Sequence, residues 1–122
     1  MIREGDRPNG LTRLWLATVN SARGLANCYR SEAAFRQEVW LGALLVPLAI
    51  WIGDNGVERA LLIGSYLLVL IVELLNSGVE AVVDRIGLER HKLSGLAKDI
   101  GSAAVFTSLT LLALVWALVL WR

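Results

Sequence analysis

The sequence predicts an all-α integral membrane fold, an amphipathic surface helix followed by three transmembrane helices, and three observations lead there. Hydrophobic residues make up 56% of the 122, above the roughly 45–50% of an average soluble domain. They gather in three runs, 39–53, 57–83 and 100–121, and a helix rising 1.5 Å per residue needs about 20 residues to cross a bilayer. The cations, finally, fall almost entirely on one side of the membrane that these runs define. The whole of 1–122 is therefore expected to form a single membrane domain.

The first element is expected over 11–36. Leu11, Leu14, Trp15, Thr18, Val19, Ala22, Leu25, Ala26 and Tyr29 recur at steps of three and four, opposite Arg13, Asn20, Arg23, Asn27 and Arg30, the pattern of a helix lying in the membrane interface. Residues 1–10 are polar and no small-residue cleavage site follows, so a signal peptide is not expected. The transmembrane helices are expected at about 37–53, 57–83 and 98–121. The first is short and carries Pro47, so it borrows residues before Val39 or bends.

Three crossings put the N-terminal arm and the 84–98 loop on the same side. Arg3, Arg7, Arg13, Arg23, Arg30, Arg36, Arg85, Arg90, Lys92 and Lys98 lie there, and only Arg59 and Arg122 lie opposite. By the positive-inside rule the arm and the loop are cytoplasmic, and the 54–56 turn and the C-terminus are outside. The five tryptophans fall mostly near run ends, as interfacial anchors do. The single cysteine, Cys28, excludes an intramolecular disulfide and a thiolate metal site. His91 is expected to be solvated in the basic loop. No phosphate-binding glycine loop, dinucleotide fingerprint or His-Glu-x-x-His motif is present, and no nucleic-acid partner is expected.

Chemistry enters with Glu73, Asn76 and Glu80, inside the most apolar stretch of the chain. At about 100° per residue they fall, with Asp84, near 0°, 300°, 340° and 20°, so all four project from one narrow stripe. Ionisable groups in such a place mark function by default. If this helix enters from outside at Val57, Glu73 lies near the cytoplasmic boundary and Glu80 and Asp84 beyond it, where a lipid headgroup and a cytoplasmic substrate can meet. Carboxylates there suit Mg²⁺, which takes one or two of them and completes its shell with water and phosphate oxygens. Two further polar clusters, Glu32-Ala-Ala-Phe-Arg36-Gln-Glu38 and Lys98-Asp99-Ile-Gly-Ser102, fall at the same boundary.

Three blocks, Glu32-Ala-Ala-Phe-Arg36-Gln-Glu38, Glu73-Leu-Leu-Asn76-Ser-Gly-Val-Glu80-Ala-Val-Val-Asp84-Arg85 and Leu93-Ser-Gly-Leu-Ala-Lys98-Asp99-Ile-Gly-Ser102-Ala-Ala, together closely resemble the prokaryotic membrane-integral diacylglycerol kinases, over about 13–121. The resemblance implies transfer of the γ-phosphate of MgATP to the hydroxyl of diacylglycerol, giving phosphatidic acid in the bacterial inner membrane. It implies a homotrimer with active sites shared between chains. It implies Glu73 as catalytic base, and Glu32 and Glu80 as the carboxylates that hold Mg²⁺ beside ATP. Arg13, Asn20, Glu89, Arg90, His91, Lys98 and Asp99 match the ATP-contacting positions, and Arg36, Glu38, Asn76 and Ser102, with Glu73, the lipid-contacting ones.

Ser31 stands where many of these kinases have Asn, which shortens any side-chain contact there. A sister group phosphorylates undecaprenol with a similar acidic motif, so that lipid is the alternative acceptor. A small ion-coupled transporter subunit is the alternative from another class, and it leaves the Glu32 and Asp99 clusters without a role.

Overall fold

A computed structural model describes residues 9–122; Arg3, Arg7 and the rest of 1–8 lie outside the described residues. The described chain is all helical: α1 Gly10–Ser31, α2 Ala33–Ile52, α3 Gly56–Ile86 and α4 Lys92–Trp121. The last three are each long and apolar enough to cross a membrane. At 1.5 Å per residue they measure about 30, 46 and 45 Å, so α3 and α4 outreach a hydrocarbon layer of about 30 Å by several turns.

The helix ends depart from the expected positions, for local reasons. The junction of α1 and α2 is the single extended residue Glu32 (φ −114°, ψ 109°), ahead of the expected boundary at 36. Arg36, on α2, donates from Nη1 to the carbonyls of Tyr29 and Arg30 at 2.9 and 2.8 Å. It thus satisfies carbonyls that the end of α1 would leave unpaired, and α1 can stop early. Pro47 sits within α2, which continues through it. The loop expected over 84–98 shrinks to five residues, because α3 runs on to Ile86 and α4 begins at Lys92. The N-cap of α4 is His91, whose Nδ1 accepts from the Leu93 backbone N–H at 3.1 Å. The N-cap of α3 is Asn55, accepting from Glu58 N at 2.9 Å.

α3 is the central helix and touches the other three. One cluster of its core is Ala49, Leu62 and Val119, the next Tyr66, Val69 and Leu112. Trp116 lies against both clusters and donates from Nε1 to the Leu62 carbonyl at 3.2 Å. Gly42 is the notch that lets α2 approach α3: a Cβ there would run into the ring and hydroxyl of Tyr66. Outward-facing side chains such as Phe106, Leu75 and Leu118 are exposed and apolar, a surface suited to lipid or to another helix.

The end of the bundle that carries the α2–α3 turn is tied by one guanidinium. Arg122 donates to Asp54 Oδ2 (2.8 Å) and to the carbonyls of Val119 and Ile52 (both 2.7 Å), and lies 3.1 Å from Glu58 Oε2. Its charge meets the negative ends of α2 and α4 together, while Glu58 occupies the first turn of α3, where a helix favours an anion. The hydrogen bond from Arg122 and its charge hold the Asp54 carboxyl below its ordinary range.

Candidate active site

The stripe on α3 begins with Glu73, which is 6% exposed. The partner it meets is Glu38 of α2, whose carboxyl lies in hydrogen-bonding contact with it. Glu38 is anchored at its own backbone, where its carbonyl accepts from the Tyr66 hydroxyl at 2.8 Å. One of its carboxyl oxygens, Oε2, is buried with no hydrogen-bond partner. The notch at Gly42 and the ring of Tyr66 therefore set the register that brings the two acids together.

Nearly one turn further on is Asn76, whose amide donates to Glu80 Oε1 at 3.4 Å. Its Oδ1 is buried without a partner and lies against the backbone of Gly101, where a Cβ would strike it. The absence of a side chain at Gly101 is what allows α4 to pass so close to this amide.

Beyond Asn76 the stripe opens into two clefts. The first, of about 440 Å³ between α1 and α3, is lined by Asn27, Ser31, Glu32, Ser77, Glu80 and Asp84 among others. Its floor includes Cys28, whose Sγ donates to Ser77 Oγ at 3.6 Å. The second, of about 510 Å³ around the α3–α4 loop, is lined by Glu89, Arg90, His91, Lys92 and Lys98, and again by Asp84. Asp84 thus belongs to both, and it pairs with Lys98 Nζ at 2.8 Å with both side chains 46% exposed. An exposed pair of this kind is screened by water and holds its partners only weakly.

The fold gathers many of the residues singled out in the sequence. Glu73 meets Glu38, Asn76 meets Glu80, Glu32 shares a cleft with Glu80, and Lys98 shares one with Glu89, Arg90 and His91. Others stand apart. Arg13 and Asn20 are exposed on α1, Asp99 and Ser102 are exposed on α4, and none of the four lines either cleft. Arg36 is engaged with the end of α1, and the His91 ring with the start of α4. The bridging position of Asp84 went unassigned in the sequence, although its place on the stripe, four residues after Glu80, was the signal for it.

Among the described residues, no group of three or more His, Cys, Asp or Glu gathers closely enough to cage a metal ion. Two glutamates lining one cleft, Glu32 from the α1–α2 junction and Glu80 from α3, nonetheless match a hard cation that takes only one or two protein carboxylates and leaves the rest of its shell to water and phosphate. What the arrangement offers is a cleft with three cationic side chains, a second cleft with Glu32 and Glu80 joined to it at Asp84, and a carboxyl pair across the α2–α3 interface in which Glu73 is buried.

The family model for prokaryotic diacylglycerol kinase matches residues 19–120. The chain is 50% identical over 110 residues to the diacylglycerol kinase of Haemophilus influenzae, covering 90% of this chain and 93% of that one. It is 52% identical over 111 residues to that of Pseudomonas aeruginosa, covering 91% and 90%, and 49% identical over 116 residues to that of Escherichia coli, covering 95% of each. An intramembrane acidic stripe that opens on joined acidic and basic clefts thus occurs in a chain that belongs to the prokaryotic diacylglycerol kinase family.

Proposed function

We propose that this chain is an ATP-dependent lipid kinase of the bacterial inner membrane, transferring the γ-phosphate of MgATP to the free hydroxyl of diacylglycerol to give phosphatidic acid. The observation that carries the reading is the continuity of the α3 stripe, from a buried carboxyl pair at Glu73 to the two clefts that meet at Asp84. A lipid hydroxyl can reach the first from the bilayer, and a nucleotide can reach the second from water.

Phosphoryl transfer asks for in-line placement and charge neutralisation more than for covalent chemistry. Arg90, Lys92 and Lys98 give the loop cleft the positive charge that a triphosphate needs. Glu32 and Glu80 would hold Mg²⁺, which when bound neutralises phosphate charge. Asn76 steadies Glu80 through its amide. Glu73 takes the proton from the lipid hydroxyl as that oxygen bonds to phosphorus and the bond to the leaving ADP breaks.

The N-terminal arm and the α3–α4 loop lie in the cytoplasm and the Arg122 end outside, and α1 rests on the cytoplasmic surface. The working form is a homotrimer. Arg13, Asn20, Asp99 and Ser102, which stand clear of the clefts of their own chain, serve the site of a neighbour, and the exposed apolar faces of the long helices supply the contact.

The test is ATP- and Mg²⁺-dependent phosphorylation by purified, lipid-solubilised protein offered diacylglycerol and undecaprenol side by side. Preference for diacylglycerol is expected. Preference for undecaprenol would replace the acceptor and keep the mechanism. Turnover of neither, with ion flux dependent on Glu73, would point to a transporter.

A further inference from the structure

Glu38 and Glu73 pose a problem of electrostatics that the proposed chemistry does not by itself answer. Both are acids, they face one another across the α2–α3 interface, and Glu73 is almost wholly buried. An ionised carboxylate only accepts hydrogen bonds, so two of them in contact have nothing to donate and repel. With Glu73 withdrawn from water, repulsion there is weakly screened. A bond between the two carboxyls requires one proton held on the pair, as in other carboxyl pairs that share a site.

The geometry also says which partner is held and which is free to act. Glu38 is fixed: its backbone carbonyl is bound by Tyr66, and Tyr66 is seated in the Gly42 notch. Its Oε2 is buried with no hydrogen-bond partner among the described residues. Glu73 lies on the stripe that leads to Asn76, Glu80 and the clefts, so it is the member directed at substrate.

We propose that Glu38 is the positioning residue of the catalytic base: its protonated carboxyl donates to one oxygen of the Glu73 carboxylate and leaves the other oxygen aimed at the lipid hydroxyl. This rests on the reading of Glu73 as base. Glu73 takes the hydroxyl proton as the lipid oxygen bonds to the γ-phosphorus and the γ-phosphorus bond to the ADP oxygen breaks. The pair then carries two protons, and one returns to water before the next turnover. Glu38 acts here through Glu73, a role distinct from the lipid contact that the family resemblance implies for it.

The test combines turnover with a signature that needs none. In Glu38→Ala, kcat is expected to fall about a hundredfold, the scale of a misplaced catalytic group, with KM for ATP and for lipid unchanged. Glu38→Gln supplies an amide N–H in place of the carboxyl O–H and is expected to recover kcat to within about tenfold of the parent, the scale of one altered hydrogen bond to a charged group. Difference infrared spectroscopy of the parent at neutral pH should show a protonated carboxyl band that shifts in D₂O and is missing from Glu38→Gln.

A Glu38→Gln variant as slow as Glu38→Ala would overturn the proposal. So would a change confined to the KM for lipid. Absence of the band from the parent would also overturn it while leaving Glu73 as base, and that measurement stands even if the variants fail to fold. An active Glu73→Gln with the band present would instead remove the base, and the role of Glu38 with it.

Discussion

Replacing Gly42 by alanine adds one methyl group at the point where α2 and α3 come closest. The new Cβ would occupy space now filled by the ring and hydroxyl of Tyr66. Tyr66 is 4% exposed and has little room to withdraw, so the cost is that of overpacking, about 1–3 kcal/mol. If the ring moves, its hydroxyl also loses the Glu38 carbonyl at 2.8 Å, a further loss of about 0.5–1.5 kcal/mol. Together Gly42→Ala should destabilise the fold by on the order of 2–4 kcal/mol. Kcat should fall too, because the same contact sets the register of Glu38 against Glu73. The assay is unfolding in mixed micelles titrated with SDS, followed by circular dichroism, with turnover measured on the folded fraction. Tyr66→Phe removes the atom nearest the added methyl, so in the double variant the losses should sum to less than the two singles. Parent-like stability of Gly42→Ala, or strict additivity with Tyr66→Phe, would refute the claim that this notch sets the interface.

Three further outcomes are expected. Glu32→Ala or Glu80→Ala should raise the Mg²⁺ concentration needed for half-maximal turnover, and titrations that overlay the parent would remove these residues as metal ligands. Mixing Glu73→Gln chains with Asp99→Asn chains should restore part of the activity if sites are shared between subunits; no recovery at any mixing ratio would place each site within one chain. The Asp54 carboxyl is held below its ordinary value by Arg122, so its contribution to stability is present above the unfolded value of about 3.9 and is lost as pH falls through the folded one. The gap in thermal inactivation between Arg122→Gln and the parent should thus be widest at neutral pH and narrow in strong acid to the part carried by the Val119 and Ile52 carbonyl bonds. A gap of the same size at every pH would show that these carbonyl bonds alone, and not the ion pair, hold that end.

The three apolar runs were legible because a run of about 20 apolar residues has few alternatives to a spanning helix. The stripe on α3 was legible for a similar reason: positions 73, 76, 80 and 84 share a face in any regular helix. Helix ends were harder to read. The early stop of α1 depends on Arg36 reaching back from the next helix, and the short α3–α4 loop on His91 capping α4, and neither leaves a hydrophobic period.

The contact of Glu38 with Glu73 was not legible either. It depends on the register of α2 against α3, which Gly42 and Tyr66 set across 24 residues of chain, and no spacing within one helix encodes that. Arg13 and Asp99 stand clear of the clefts, and the proposed sharing of sites between chains would account for that, since a residue that serves a neighbouring chain has no reason to approach the site of its own.

The account turns most directly on Glu73, and the decisive measurement is the turnover and nucleotide binding of Glu73→Gln side by side. The expected result is near-complete loss of lipid phosphorylation with ATP binding largely retained, because the amide cannot accept the hydroxyl proton while both clefts stay intact. Substantial turnover by this variant would contradict the account, since the buried carboxylate around which the stripe is organised would then have no part in the chemistry.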